Sequence, residues 1–221
     1  MAQHRKNEYY RKSWFKVAAR IFYTLAIPVL FVWICVFNGA RFTGMQNIKG
    51  LNSAVPVCNH VHGLDSWLVA SAFYPRMLVF PTVPEKIDVF FPGIFFSLLG
   101  CLSIPRSFGE TKPFFRELEA VLEKGRLVHF FPEGSVSPYN SELQDFKKGA
   151  FYLAAKAHVP ILPMVITFRP PKGLHKLFRK KPVMLLTIGE PMPPCSTDEK
   201  EDERIRMDIA RRNMSNMLRP K

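Results

Sequence analysis

The spacing of apolar and polar positions changes several times along this chain, and the changes predict alternating strands and helices. The first block is apolar on every side: residues 21–37 are interrupted only by Thr24. A helix over that run reaches about 26 Å, the lower limit for crossing the hydrocarbon core of a bilayer. After Gly44 the texture becomes that of an α/β domain. Short apolar runs at 54–58, 77–81, 101–104, 126–131, 161–168 and 183–188 read as buried strands. Helical spacing appears between them, at 63–73, at 112–124 (Phe115, Leu118, Val121, Leu122, with Gly125 as a stop) and at 147–157. A charged terminal helix is predicted over 196–218, opened by a Ser196-x-x-Glu199 capping box. The run 89–99, rich in Phe, reads as core or as a lipid-facing surface. Strands alternating with helices predict an α/β class: a single domain with a mostly parallel central sheet flanked by helices, preceded by an N-terminal membrane-associated helix. The division expected is 1–44 for a basic and hydrophobic anchoring segment and 45–221 for the folded domain.

Charge narrows the partners. Thirty-one Lys and Arg against eighteen Asp and Glu leave +13 over 221 residues, which calls for an anionic partner: nucleic acid, an acidic membrane surface or a phosphorylated substrate. Twenty Phe and nineteen Pro point away from a plain nucleic-acid binder, and no nucleic-acid module surrounds the basic stretches. One such stretch, 169–181, mixes six Lys and Arg with Leu174, Leu177 and Phe178 and no acid. That composition suits an anionic bilayer surface or the phosphates of a donor, and equally a solvated loop. The four cysteines stand far apart with no C-x-x-C pair, arguing against a zinc site or a disulfide framework. The long basic N-terminus with no A-x-A site argues against a cleaved signal, leaving a spanning helix or a re-entrant or interfacial one kinked at Pro28.

The most informative stretch is Asn59-His60-Val61-His62-Gly63-Leu64-Asp65. A strand ends at His60, Gly63 permits a tight turn, and a helix starts near Asp65. Such a turn can fold the carboxylate back onto the imidazole, fixing its tautomer and raising the basicity of the free nitrogen. That nitrogen can then take a proton from a hydroxyl. A helix cap at Asp65 beside an ordinary turn histidine fits the same letters. A binuclear metal hydrolase also begins His-x-His, but Ser66 stands where a further His belongs, and the chain holds only six histidines. Three further pieces carry weaker signals. Phe131-Pro132-Glu133-Gly134-Ser135 is a strand meeting a glycine turn, Ile104-Pro105-Arg106 offers a guanidinium just past a strand, and Phe146-Lys147-Lys148-Gly149 sets two ammonium groups at a helix start.

In this order and spacing, Asn59-His60-x-x-x-x-Asp65, Ile104-Pro105-Arg106, Phe131-Pro132-Glu133-Gly134-Ser135 and Val159-Pro160-Ile161-Leu162-Pro163 resemble the four motifs of glycerolipid acyltransferases. The nearest likeness is to the PlsC-type 1-acylglycerol-3-phosphate O-acyltransferases, over roughly residues 45–195. The resemblance implies an O-acyltransferase moving a fatty acyl group from acyl-CoA or acyl-carrier protein to a lysophospholipid hydroxyl, most simply 1-acylglycerol 3-phosphate to phosphatidic acid. It implies His60 as the general base held by Asp65, Arg106 on the acceptor phosphate, and Glu133, Gly134 and Ser135 around the glycerol. Lys147, Lys148 and Lys86 are further phosphate candidates. No metal or prosthetic group is implied, and no nucleic-acid partner. The implied location is the cytoplasmic face of the membrane, among its phospholipids, which favours the re-entrant or interfacial helix. One departure matters. Family members making phosphatidate typically follow the third motif's Gly with Thr-Arg-Ser, whereas this chain has Ser135-Val136-Ser137. Lys147 or Lys148 then supplies the charge, or the acceptor is another lysolipid, such as an amino-acid-containing one. A non-catalytic lipid-binding protein on the same scaffold is the remaining rival.

Overall fold

The structure is a computed structural model describing residues 12–87, 90–171, 176 and 181–219. The basic stretch 169–181 falls largely outside these residues, as do Arg5, Lys6, Arg11 and the side chain of Lys86.

Strands β2 (Val55–Cys58), β3 (Leu78–Thr82), β4 (Cys101–Ser103), β5 (Leu127–Val128), β6 (Ile161–Arg169) and β7 (Val183–Ile188) follow the predicted runs. They form two ladders, one running β7-β6-β2 and the other β4-β3-β5, parallel except for the β6–β7 pair. Backbone hydrogen bonds join the two ladders between β2 and β5: Val128 N–H to Ala54 O (3.3 Å), Phe130 N–H to Pro56 O (3.0 Å) and Cys58 N–H to Phe130 O (3.2 Å). The strand expected over 126–131 therefore survives as pairing even where the regular ladder stops at Val128. A further strand, β1 (Arg41–Thr43), runs parallel to β7 at the sheet edge. The folded domain thus begins a few residues before the boundary expected at 44. Three residues are too short a signal for periodicity to detect.

Because the sheet is covered on both sides, its strands are apolar on both faces. Alternate residues divide between two cores. Cys58, Leu78, Phe80, Leu127, Leu162, Met164 and Ile166 face one side, with α1 (Ser13–Val36) and α2 (Asp65–Phe73). Val55, Val57, Val79, Val128, Ile161 and Val165 face the other, with α5 (Thr111–Glu123), α6 (Gly149–Lys156) and α7 (Glu199–Leu218). The aromatic run forms α4 (Phe90–Leu98), preceded by a short α3 (Pro84–Ile87), and α4 packs on α1 through the edge-on ring pair Phe22–Phe95. α7 starts later than expected. Asp198, in extended conformation, is its N-cap and accepts from the Glu201 N–H (2.8 Å), while Ser196 accepts from the Asp198 N–H instead. A carboxylate two residues further along out-competes the Ser196 hydroxyl for the free helical N–H.

Helix α1 runs through Pro28 without a break and presents two stripes. Phe15, Ala19, Tyr23, Ile27 and Ile34 are buried on the domain, and the Tyr23 hydroxyl donates to the Arg76 carbonyl (3.2 Å). Val17, Ile21, Leu25, Val29, Val32 and Val36 lie exposed at helical spacing on the other side. By length and composition α1 could cross a membrane. One stripe is instead committed to the domain, and the exposed apolar stripe is of the kind that a bilayer interface covers.

Candidate functional site

Chain direction places the site. β2 continues through α2 to β3, which lies beyond β5, while β5 itself continues through α6 to β6 on the far side of β2. The carboxyl ends of β2 and β5 therefore flank a point where connections diverge, the usual place for a ligand on an open parallel sheet. The loops after these two strands carry Asn59 to Gly63 and Phe131 to Val136.

Asn59 fixes the first loop. Buried at the end of β2, its amide donates to Ile166 O (3.0 Å) and accepts from Ile166 N–H (2.7 Å), continuing the ladder with a side chain. His60 then turns out of the sheet and Asp65, at the first turn of α2, folds back under it. Asp65 Oδ2 lies 2.9 Å from His60 Nδ1 and accepts from the Val61 and His62 N–H groups at 2.7 and 2.8 Å. The carboxylate is fully buried, while the His60 side chain remains 18% exposed. With Nδ1–H directed at Asp65, Nε2 is left as the acceptor. The imidazole lies flat on Phe131, ring centroids 4.0 Å apart and planes 12° from parallel.

A cavity of about 510 Å³ opens at His60. Gly134, Ser135, Lys147, Thr111 and Pro105 are among the residues that line it, together with the apolar side chains of Ile27, Trp67, Ala70, Phe80, Phe96 and Leu99. Gly134 has φ +74°, and the Lys147 side chain crosses directly over it, where any Cβ would meet the ammonium end. The two lysines at the start of α6 thus diverge: Lys147 enters the cavity wall, whereas Lys148 is 76% exposed, 3.8 Å from Glu203.

Three candidates from the motifs are turned away from this cavity. Arg106 pairs with Glu85 on the surface (3.1 Å). Lys148 lies on the outer side of α6. Glu133 is buried, its two oxygens accepting from His60 N–H and Gln144 N–H at 3.4 Å each. It ties the His60 loop to the segment leading to Lys147. Burial pushes its pKa up, and these backbone donors pull it part of the way back. His62 is also structural: its Nδ1 accepts from Leu64 N–H (3.1 Å), and its ring meets Tyr139 and Phe168.

His129 carried no signal as a motif residue, yet it sits directly behind His60 and Phe131. It is edge-on to Phe131 (4.6 Å), the ring on which His60 rests, and both of its nitrogens are buried with no partner among the described residues. Alternation was the available signal: residues 127, 129 and 131 share one face of β5 and its extension. Desolvation, with the nearby His60 charge second, lowers the His129 pKa to about 3. The unfolded chain, with a value near 6.5, then takes up the proton first. The contribution of this group to stability is intact above about pH 6.5 and declines by up to about 1.4 kcal/mol per pH unit toward pH 3. Urea unfolding at pH 7 and pH 5 should show that loss, and His129→Phe should flatten it. Equal slopes in the two proteins would contradict the buried neutral imidazole.

The comparisons with known proteins show the family. The family model described as "Acyltransferase" matches residues 39–167, more than half of the chain. A protein of Limnanthes douglasii named 1-acyl-sn-glycerol-3-phosphate acyltransferase is 28% identical over 86% of this chain and 68% of its own length. A Saccharomyces cerevisiae protein of the same name is 35% identical over 51% of this chain and 38% of its own. The chain spans 61% and 49% of two further plant relatives with that name, so it matches only part of most of them. The fold is shared with the crystal structure of the 1-acyl-sn-glycerophosphate (LPA) acyltransferase PlsC from Thermotoga maritima, with a TM-score of 0.62 and 22% identity over 93% of this chain and 80% of that one. With the family match spanning both loops that border the cavity, from Asn59 through Ser135, this chain belongs to the acyltransferase family.

Proposed function

We propose that this chain is a membrane-associated O-acyltransferase moving a fatty acyl group from acyl-CoA or acyl-carrier protein to the free hydroxyl of 1-acylglycerol 3-phosphate, giving phosphatidic acid. The observation that carries the reading is the Asp65–His60 pair in the wall of a cavity lined largely by apolar side chains. Several relatives are named for this acceptor.

The chemistry follows from that pair. His60 Nε2 accepts the hydroxyl proton as the oxygen attacks the thioester carbonyl carbon. The tetrahedral adduct collapses with cleavage of the C–S bond, and the imidazolium returns its proton to the departing thiolate. Asp65 stabilises the imidazolium in between. No acyl-enzyme forms, and the balance of the step calls for no metal or prosthetic group. Gly134 and Ser135 border the glycerol, and the apolar lining holds a hydrocarbon chain. The exposed stripe of α1 rests in the cytoplasmic leaflet among its phospholipids, with the helix lying in the interface.

Lys147 takes the phosphate in place of the arginine missing after Gly134. Losing one charge-assisted contact costs about 1.5–3 kcal/mol, roughly a ten- to hundredfold effect. Lys147→Ala should therefore raise KM for 1-acylglycerol 3-phosphate by about that factor and leave KM for 1-monoacylglycerol alone. The reading as a whole is tested by giving the purified protein a labelled acyl donor and a panel of lysolipids with and without phosphate. Preference for the phosphate monoester supports it. Equal rates on phosphate-free acceptors would transfer the assignment to another lysolipid.

A further inference from the structure

A second cleft, of about 200 Å³, lies between α5 and α6, walled by Lys112, Phe115, Arg116, Glu119, Tyr152 and Lys156. Three cations face one carboxylate, an excess of two positive charges. Lys112 and Arg116 stand one helical turn apart, exposed, and without an ion pair among the described residues. Lys156 is held by Glu119 (4.0 Å) with its ammonium 5.8 Å from the centre of the Tyr152 ring. Phe115 and Tyr152 meet edge-to-face at 5.1 Å, so the cleft offers a ring face as well as charge.

Its position matters as much as its chemistry. Phe115 also lines the reacting cavity, so the two spaces adjoin across one side chain. Gly149, at the start of α6, borders the reacting cavity, and Lys156 lies seven residues on, about 10 Å along the same helix. A ligand reaching both spaces must be long, with a flat polyanionic end. A bare phosphate has no use for the rings, and an acyl chain has no use for the cations. We propose that this cleft binds the adenosine 3′,5′-bisphosphate end of a coenzyme A thioester, making acyl-CoA rather than acyl-carrier protein the donor. The proposal rests on the acyl-transfer reading above. Stacking on the rings supplies the orientation of the base and the cations supply the hold on its phosphates.

The test uses Lys112→Ala/Arg116→Ala, two exposed positions whose removal leaves packing intact. Calorimetry with adenosine 3′,5′-bisphosphate reads binding without turnover, and the affinity should fall about tenfold or more in the variant. The ratio of kcat/KM for acyl-CoA to that for acyl-pantetheine, which lacks the nucleotide, should fall by a similar factor. Binding of the bisphosphate that is absent, or equal in both proteins, overturns the site, as does an unchanged donor ratio or preferred use of acyl-carrier protein. Failure of the unaltered protein to transfer from any thioester while still binding the bisphosphate would instead overturn the acyl-transfer reading and leave this site standing.

Discussion

His60→Ala is expected to lower kcat by about 10²–10⁴-fold, the range that a positioned general base contributes, while leaving the protein folded. The two halves of that expectation have separate causes. His60 is the cavity-lining imidazole whose Nδ1 is engaged by a buried carboxylate, so the free nitrogen meets solvent and substrate rather than packed hydrocarbon. Removing it removes the proton acceptor and nothing that could substitute nearby, since His129 is buried behind Phe131 and holds its proton only in strong acid. The structural cost is modest because the ring is partly exposed and rests on Phe131 through one face. The expected pattern is an unchanged unfolding midpoint, KM within a few-fold of the original and a kcat lower by orders of magnitude. A variant that turns over at the original rate would refute the base assignment. One that loses its cooperative unfolding would show that the ring is a structural element.

How much of this could be read from the chain depends on the range of each signal. The strands showed in the sequence because a sheet buried on both faces demands short unbroken apolar runs, as at 54–58 and 183–188. His60 and Asp65 are five residues apart, so a local turn brings them together and local reasoning finds them. Lys147 is different. Nothing in its spacing separates it from Lys148, because adjacent residues at a helix start diverge by about 100° and only the tertiary partner decides which faces the cavity. Gly134 opposite one of them and Glu203 opposite the other make that decision. The inward turn of Glu133 was hidden for the same reason: its partners are backbone N–H groups on the His60 loop and eleven residues further along its own connection. The long apolar N-terminal run is legible as a helix, but its division into a docked stripe and an exposed one depends on α2 and α4, which share no periodicity with it.

Asp65→Ala should cost both rate and stability, and comparison with Asp65→Asn separates the two. One carboxylate oxygen accepts three N–H groups, from His60 Nδ1 and from the Val61 and His62 backbone, while the other, Oδ1, is buried with no partner among the described residues. Alanine strands two backbone donors at about 1–3 kcal/mol each and releases the imidazole. A loss of roughly 3 kcal/mol in urea unfolding is expected, with kcat reduced nearly as far as in His60→Ala. In asparagine the side-chain oxygen keeps the position of Oδ2, because the flipped amide would point its NH₂ at two N–H donors. The tautomer and most of the stability survive, the NH₂ replaces the unpartnered Oδ1, and what disappears is the negative charge that stabilises the imidazolium. The Asn variant should therefore remain well folded, with kcat between the original and the Ala variant. Because base and acid act as one unit, the His60→Ala/Asp65→Ala double variant should be no slower than His60→Ala alone. Rate losses that multiply in the double variant would mean that Asp65 reaches the reaction by a route other than the histidine.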